Sequence, residues 1–530
     1  MRLNRRDFLW RTTASGLILP LVGGVRPSAA AATRFAHGIA SGDPLTDRVI
    51  LWTRIDGFVT GTVDVRWAVA ADQRFTRTVA SGTVRTHAER DYTVKVDAGG
   101  LEPGNTYYYR FQAGGERSPI GRTRTLPSRG VRHLRFAVVS CSNYPYGFFN
   151  VYGRVAARHD LDAVLHLGDY IYEFEEGRYG EGKKIGRVPD PVHETVTLDD
   201  YRRRYAIYHT DPDLQEAHRQ HPFITVWDDH ELANNAWRGG AVNHQPTSEG
   251  EWTARRAAAY RAYAEWLPVR EQGDIVPRLY RTFRFGGLAD LVMLDTRSLR
   301  DEQAAPDDIA ALADPQRSIM GAAQEAWCFD QLRESNRAGT PWRLLGQQVM
   351  FARMTPAAQK VRNADSWDGY QGARERVLDF LQRERVKDLV ILTGDVHSSW
   401  AMDVPRTAWD GYTGRTGEGS LAVDFTTPAI SSPPIFAADG QGRERAAALK
   451  VMLPHLKFMD GEHRGYVVVD VTPNQVQADY YFVPTVAERT DAETRVASLV
   501  TERGSSHLVE SATAAPTQAG VRVDSDQGQS

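Results

Sequence analysis

Five short apolar runs, each closed by a polar and mostly acidic cluster, constrain this chain more than any other feature. Residues 134–139 run into Ser140-Cys141-Ser142-Asn143, and 163–167 run into Gly168-Asp169-Tyr170-Ile171-Tyr172-Glu173. Residues 223–227 run into Asp228-Asp229-His230-Glu231, with Asn234-Asn235 beyond. Residues 288–294 end at Asp295, and 389–393 run into Gly394-Asp395-Val396-His397. Apolar runs of this length, bounded by turn residues, read as buried strands. Helical patterns lie between them at 198–208, 252–266 and 322–332, and Thr197 with Asp200 has the spacing of a capping box. This alternation predicts an α/β core of roughly 350 residues. Ligands in open α/β sheets sit at the carboxyl ends of the strands. If the five strands are neighbours, their acidic ends converge.

Convergent carboxylates repel one another and are costly to desolvate. Such a cluster needs cations. One Cys, one or two His, an Asn and several Asp offer sulfur, nitrogen and oxygen donors together. The set is too rich for a lone Mg2+, and its oxygens do not suit a structural zinc site. A multinuclear centre fits better. Two or more metals a few ångströms apart favour phosphate-ester hydrolysis, because they clamp the attacking and leaving oxygens.

The segment ahead of the core has another character. Val63, Val65, Trp67 and Val69 alternate with polar or small residues, 92–96 repeats the pattern, and 101–111 reads as a turn feeding a strand. That last stretch resembles fibronectin type III-like domains, so 33–128 is expected to be a small β-sandwich. Residues 1–32 read as an export leader: Asn4-Arg5-Arg6-Asp7-Phe8-Leu9, an apolar stretch at 14–25, and a small-residue tract at 28–32. Arg5-Arg6 followed by Phe8-Leu9 resembles a twin-arginine (Tat) signal. It implies the Tat translocon as a partner and a secreted, periplasmic or cell-surface location. No apolar run reaches the ~18 residues of a membrane span. Lys+Arg 64 against Asp+Glu 67 gives no basic field for nucleic acid. Two Cys exclude a disulfide-stapled scaffold. Arg202-Arg203-Arg204 reads as a solvated helix face, and 487–530 as a polar, partly disordered tail.

Gly168-Asp169-x-x-Tyr172, Asp229-His230-Glu231 and Gly394-Asp395-x-His397 resemble the calcineurin-like metallophosphoesterase superfamily. The fuller wording adds Ser140–Asn143, Trp227–Glu231, Leu294-Asp-Thr-Arg297, Trp367-Asp-Gly-Tyr370 and Thr393–His397. Together these are similar to the alkaline phosphatase D (PhoD) family, over about 35–485. The resemblance implies an α/β (α+β) metallophosphoesterase sandwich core at 129–486, behind the fibronectin III-like sandwich. It implies Fe3+ with Ca2+, and hydrolysis of phosphomonoesters and phosphodiesters by a metal-bound hydroxide. On this chain Cys141, Asp169 and Tyr172 would hold the iron, with Asp169 bridging to a second site. Asp229, Asp395 and Asn235 would complete the calcium positions, and His397 would be a further ligand. His230 is the candidate general acid or stabiliser of phosphate charge. An iron-dependent phospholipase D is the alternative within the same family.

Cys141 and Asn143 stand where the wider superfamily carries an Asp-x-His pair, which favours iron over a di-zinc or di-manganese centre. Asn143 and Arg464 are candidate substrate contacts, Arg because its guanidinium matches phosphate oxygens; a surface turn is the other reading of Arg464. Cys141 has two further readings, a buried thiol or a disulfide with Cys328. Cys328 itself reads as a core thiol. Asp295 and Arg297 support the site or are structural. The Trp367–Tyr370 loop lines the cleft or packs as a turn.

Overall fold

The computed structural model describes residues 34–517 and 520, apart from 59, 272–277, 357 and 437–439. The leader read at 1–32 lies outside the described residues.

Strand Leu134–Val139 is buried at every position, as a strand covered on both faces must be. It pairs in parallel with Ala163–His166, which pairs in parallel with Pro222–Thr225. A second sheet holds Ala289–Met293, Trp342–Gly346, Leu389–Thr393 and Ser420–Thr426, also parallel. The five expected strands are therefore split between two sheets. Their polar ends still meet, because the sheets pack face to face. Phe136 of one sheet and Phe285 of the other lie edge to face at 5.0 Å. Thr427 Oγ1 donates to Val138 O at 2.9 Å. A single parallel bridge, Ser140 to Ala429, ties the two sheets just past their strand ends.

Helices cover both outer faces. Leu198–His209 opens with the expected capping box, in which the Thr197 and Asp200 side chains each take up the other's backbone N–H. Its Tyr201, Tyr205 and Tyr208 are buried against the first sheet. Gly321–Arg337 packs Cys328 and Leu332 with Leu294, Leu345 and Ile391 on the second. Both cysteines are buried free thiols, so the disulfide alternative fails.

Three other readings change in detail. The sandwich at 33–128 is not free-standing. Its strands Ile39–Gly42, Arg48–Arg54 and Thr93–Gly99 extend the first core sheet, with Ile39–Gly42 pairing in parallel to Pro222–Thr225. The other layer is a separate sheet built on Thr78–His87, Thr62–Ala70 and Thr106–Ala113. Val49, Leu51, Val65, Tyr109 and Phe111 fill the space between the layers. The tail at 487–530 is also partly sheet. Thr494–Glu502 pairs antiparallel with Gln475–Val483, and Val509–Glu510 pairs outside it. Composition understated this segment, because an edge strand can be polar on its open side. Arg204 turns inward and is 1% exposed. Its guanidinium donates to the carbonyls of Tyr172, Phe174, Pro191 and His193, and so pins the loop that carries Tyr172. Arg202 and Arg203 pair with Glu265 and Asp190. Among the described residues, no helix is long and apolar enough to cross a membrane.

Candidate metal centre

The strand ends turn sharply to form the site. Cys141, Asp169, Asn235, Asp395 and His397 all have left-handed backbones, with φ of 64°, 55°, 56°, 64° and 50°. Such conformations in residues other than glycine cost ~1–3 kcal/mol each and persist only where the surroundings impose them. At Asp169 a carboxylate clamp does this. The Glu231 carboxylate accepts the backbone N–H groups of Asp169, Tyr170 and Asp228 at 3.0, 2.7 and 2.8 Å. It thus ties the loops that follow two neighbouring strands. Gly168 permits the approach, since a side-chain carbon there would lie 2.6 Å from the Asp228 nitrogen.

Donor atoms from both sheets then meet. Cys141, Asp169 and His397 each bring one ligand atom within 4.8 Å of the others. The Tyr172 hydroxyl sits among them. It donates to Asp169 Oδ2 at 3.0 Å, takes a hydrogen bond from Ser432 at 2.7 Å, and lies 2.9 Å from His397 Nε2. Asp169, Asp229 and His230 form a second such trio, and Asp228, Asp229 and Asp395 a third. Asp169 and Asp229 are each shared between two groups. Asn235 joins through its main chain, whose N–H donates to Asp229 Oδ2 at 2.6 Å.

His230 is held from both sides. Its Nδ1 lies 2.7 Å from Glu173 Oε2, and its ring packs against Tyr172 at 4.2 Å, tilted by 31°. Burial works against its charge, but Glu173, Asp229 and Asp169 together raise its pKa well above the ordinary value. His397 behaves oppositely, with burial and then His230 pushing it down to about 3. One imidazole is thus kept as a proton donor and the other as a neutral ligand. Burial, then the Asp169 charge, pushes the Cys141 thiol and the Tyr172 phenol upward. Burial also raises Asp169, although His230 opposes it.

Asn143 is fully buried among these groups. Its amide nitrogen donates to Tyr179 O at 2.6 Å, while its Oδ1 has no hydrogen-bond partner. The free atom is an acceptor, which suits a cation and not a phosphoryl oxygen. Arg464 lies to one side and hydrogen-bonds none of the cluster. It donates to Glu462 O at 2.8 Å, lies over the Tyr146 ring, and lines a cavity of about 390 Å3 with Tyr146, His463 and Thr485. A second cavity of about 430 Å3 shares Tyr146 and reaches Tyr179 and Pro433. Both of those residues contact His397 Nδ1. A larger cavity, about 740 Å3, lies away from the donors beside helix Gly442–Met452.

Several residues around the donors carry more than the sequence reading assigned to them. Glu173, Asp228, Glu231 and Arg297 stand inside the quoted motifs, so their positions were visible and their partners were not. Ser432 follows strand Ser420–Thr426, whose apolar run is broken by the buried Asp424. Asp365 precedes the Trp367–Tyr370 turn and accepts from Arg297 and Arg300 at 2.7 and 2.5 Å. That turn is itself buried packing, with Trp367 Nε1 donating to Gln347. Asp295 caps its own turn, accepting from the Arg297 and Ser298 backbones.

Comparison with known proteins identifies the family. The PhoD-like phosphatase model matches residues 136–480, and the model of that family's N-terminal domain matches 23–127. Alkaline phosphatase D of Bacillus subtilis (strain 168) is 38% identical over 497 residues, spanning 89% of this chain and 82% of the relative. A solved structure of PhoD has a TM-score of 0.83 at 37% identity, covering 94% of this chain and 95% of that one. The buried cluster of acidic, thiol, phenol and imidazole groups thus stands in a chain that, by family model, sequence and fold alike, belongs to the PhoD-like phosphatases, a family of phosphoric ester hydrolases.

Proposed function

We propose that the chain is an exported, metal-dependent phosphoesterase that cleaves phosphomonoesters and phosphodiesters. The observation that carries the reading is the meeting of Cys141, Asp169, Tyr172 and His397 from two sheets within one buried pocket. The family match supports phosphate-ester hydrolysis over the phospholipase D alternative. Export through the twin-arginine pathway rests on Arg5-Arg6 and the apolar stretch behind them.

The donors suit metal ions. A thiol, a phenol and a carboxylate are buried side by side, and burial pushes all three toward their neutral forms. Among the described residues, no cationic side chain hydrogen-bonds Cys141 or the Tyr172 hydroxyl, whose imidazole partner, His397, is neutral. Asn143 Oδ1 adds an unpaired buried acceptor. A trapped cation reverses each of these costs. Cys141, Asp169, Tyr172 and His397 would hold Fe3+, for which a phenolate is a matched hard donor. Asp229, Asp395 and Asn235 would hold Ca2+ with oxygen donors. Asp169 would serve both ions. Asn143 stands with these donors, and Arg464 remains the candidate substrate contact. Bound metal supplies Lewis acidity toward phosphoryl oxygen and water.

The chain's own residues then set the proton inventory. His230 keeps its Nδ1 on Glu173, which leaves Nε2 to hold a proton for the leaving oxygen. Tyr172 packs against that ring at 4.2 Å and limits its rotation. Elemental analysis of purified protein, with assays on p-nitrophenyl phosphate, bis-p-nitrophenyl phosphate and phosphatidylcholine, tests the reading. Iron and calcium with turnover of the first two substrates are expected. Loaded protein that turns over none of the three overturns it, and turnover confined to phosphatidylcholine would revive the lipase.

A further inference from the structure

Arg297 follows strand Ala289–Met293 of the second sheet and is fully buried, 0% exposed. A guanidinium keeps its proton in proteins, so burial obliges it to find anions. It finds four. Nε donates to Asp228, Nη1 to Asp365 at 2.7 Å and Nη2 to Asp395 at 2.9 Å, and Asp229 Oδ1 lies 3.5 Å from Nη2. Arg300 and Gln303 close the far side by donating to Asp365 Oδ1 at 2.5 and 2.6 Å.

Three of these carboxylates, Asp228, Asp229 and Asp395, bring one oxygen each within 4.8 Å of the others. By spacing and chemistry alone they make an oxygen-rich cation site. Yet each already faces a nitrogen of the same guanidinium. Among the described residues, no guanidinium hydrogen-bonds the side chains of Asp169, Cys141 or Tyr172, and the cation beside Asp169 is the His230 imidazole.

We propose that Arg297 is a resident cation of the centre. It takes the place a metal ion would occupy among Asp228, Asp229 and Asp395, and confines exchangeable metal to the side of the pocket that Asp169 serves. Asp228 is then a partner of Arg297 and not a ligand. Asp229 and Asp395 are held in place before any metal arrives. This inference rests on the metal-dependent reading above.

Crystals of the wild-type protein soaked in Mn2+ and measured for anomalous scattering test it. Density beside Asp169 and none enclosed by Asp228, Asp229 and Asp395 is expected. Manganese among those three, with the Asp169 side also filled, overturns this inference alone. No manganese anywhere overturns it together with the metal-dependent reading. Arg297→Met, stripped and reloaded with Mn2+, gives the converse test by elemental analysis. It should take up about one more manganese per chain than the wild type, since buried carboxylates left without their cation recruit another. Arg297→Lys should keep the wild-type number. An unchanged count in Arg297→Met overturns the proposal. If that variant does not fold, the wild-type map decides by itself.

Discussion

The two halves of the centre meet the same electrostatic problem in opposite ways. On one side, Cys141 and Tyr172 are buried acids beside Asp169, and burial with the neighbouring carboxylate raises both. On the other side, Arg297 lies among the aspartates. Burial opposes ionisation there too, but Arg297 and then His230 hold Asp229 below the usual carboxylate range. Arg297 and Arg300 do the same for Asp365. The first half has no guanidinium to offset burial, whereas the second carries one, although burial still raises Asp228 and lifts Asp395 to about 7. The same chemical demand, placed on two strand ends, can thus be met by a ligand or by the chain.

The harshest way to break this comparison is to remove the donor that serves both metal positions. Asp169→Asn should lower hydrolysis of bis-p-nitrophenyl phosphate by about 10^3-fold or more, since several kcal/mol of metal-supplied charge stabilisation is at stake. Iron and calcium should both fall in elemental analysis. Retention of both metals would show that Asp169 is not the shared donor.

His230→Ala comes next, with a loss of ~10^2–10^4-fold in kcat, the range for a positioned acid. Glu173→Gln should lose less, ~10-fold, because the ring keeps its packing against Tyr172. Metal content should stay at the wild-type value in both variants. Metal loss from His230→Ala would turn His230 from acid into ligand.

Tyr172→Phe separates the halves. The iron-loaded variant should lose its visible phenolate-to-iron absorption, and activity should drop ~10–100-fold. Calcium content should be unchanged. Stringent calcium chelation does the reverse, inactivating the enzyme with iron still bound. An unchanged spectrum in Tyr172→Phe, or full activity after chelation, would erase the distinction drawn here.

The smallest effect calibrates the others. Thr197→Ala removes one arm of a helix cap outside the donor cluster and should cost about 1 kcal/mol in urea unfolding. Activity per folded molecule should not change. If it does, stability and catalysis are coupled through helix Leu198–His209, and losses at the centre need that correction.

Much of the site could be read from the chain. Cys141, Asp169, Tyr172, Asp229, His230, Asp395 and His397 follow apolar strands directly, and strand ends of parallel sheets converge by construction. The reading was thinner where a role depends on a partner far away in sequence. Arg297 looked ambiguous because its partners are Asp228, Asp365 and Asp395, each reached only through tertiary contact. Arg204 looked solvated because charge runs usually are, but the carbonyls of the Tyr172 loop draw it in. Asn143 was expected to face substrate, yet its one free atom is an acceptor.

Local pattern was enough for the five core strands that carry the donors, their polar termini, helices Leu198–His209, Trp252–Trp266 and Gly321–Arg337, and the Thr197 cap. Run length, periodicity and capping chemistry act over a few neighbouring residues. Long-range pairing settled the rest. It put three of the five strands in one sheet and two in the other, joined the N-terminal layer to the core sheet, and drew Thr494–Glu502 onto its edge. It also decided which aspartates face a guanidinium. Those outcomes rest on backbone hydrogen bonds and buried charge contacts between distant segments, and no short stretch of sequence encodes both partners of such a contact.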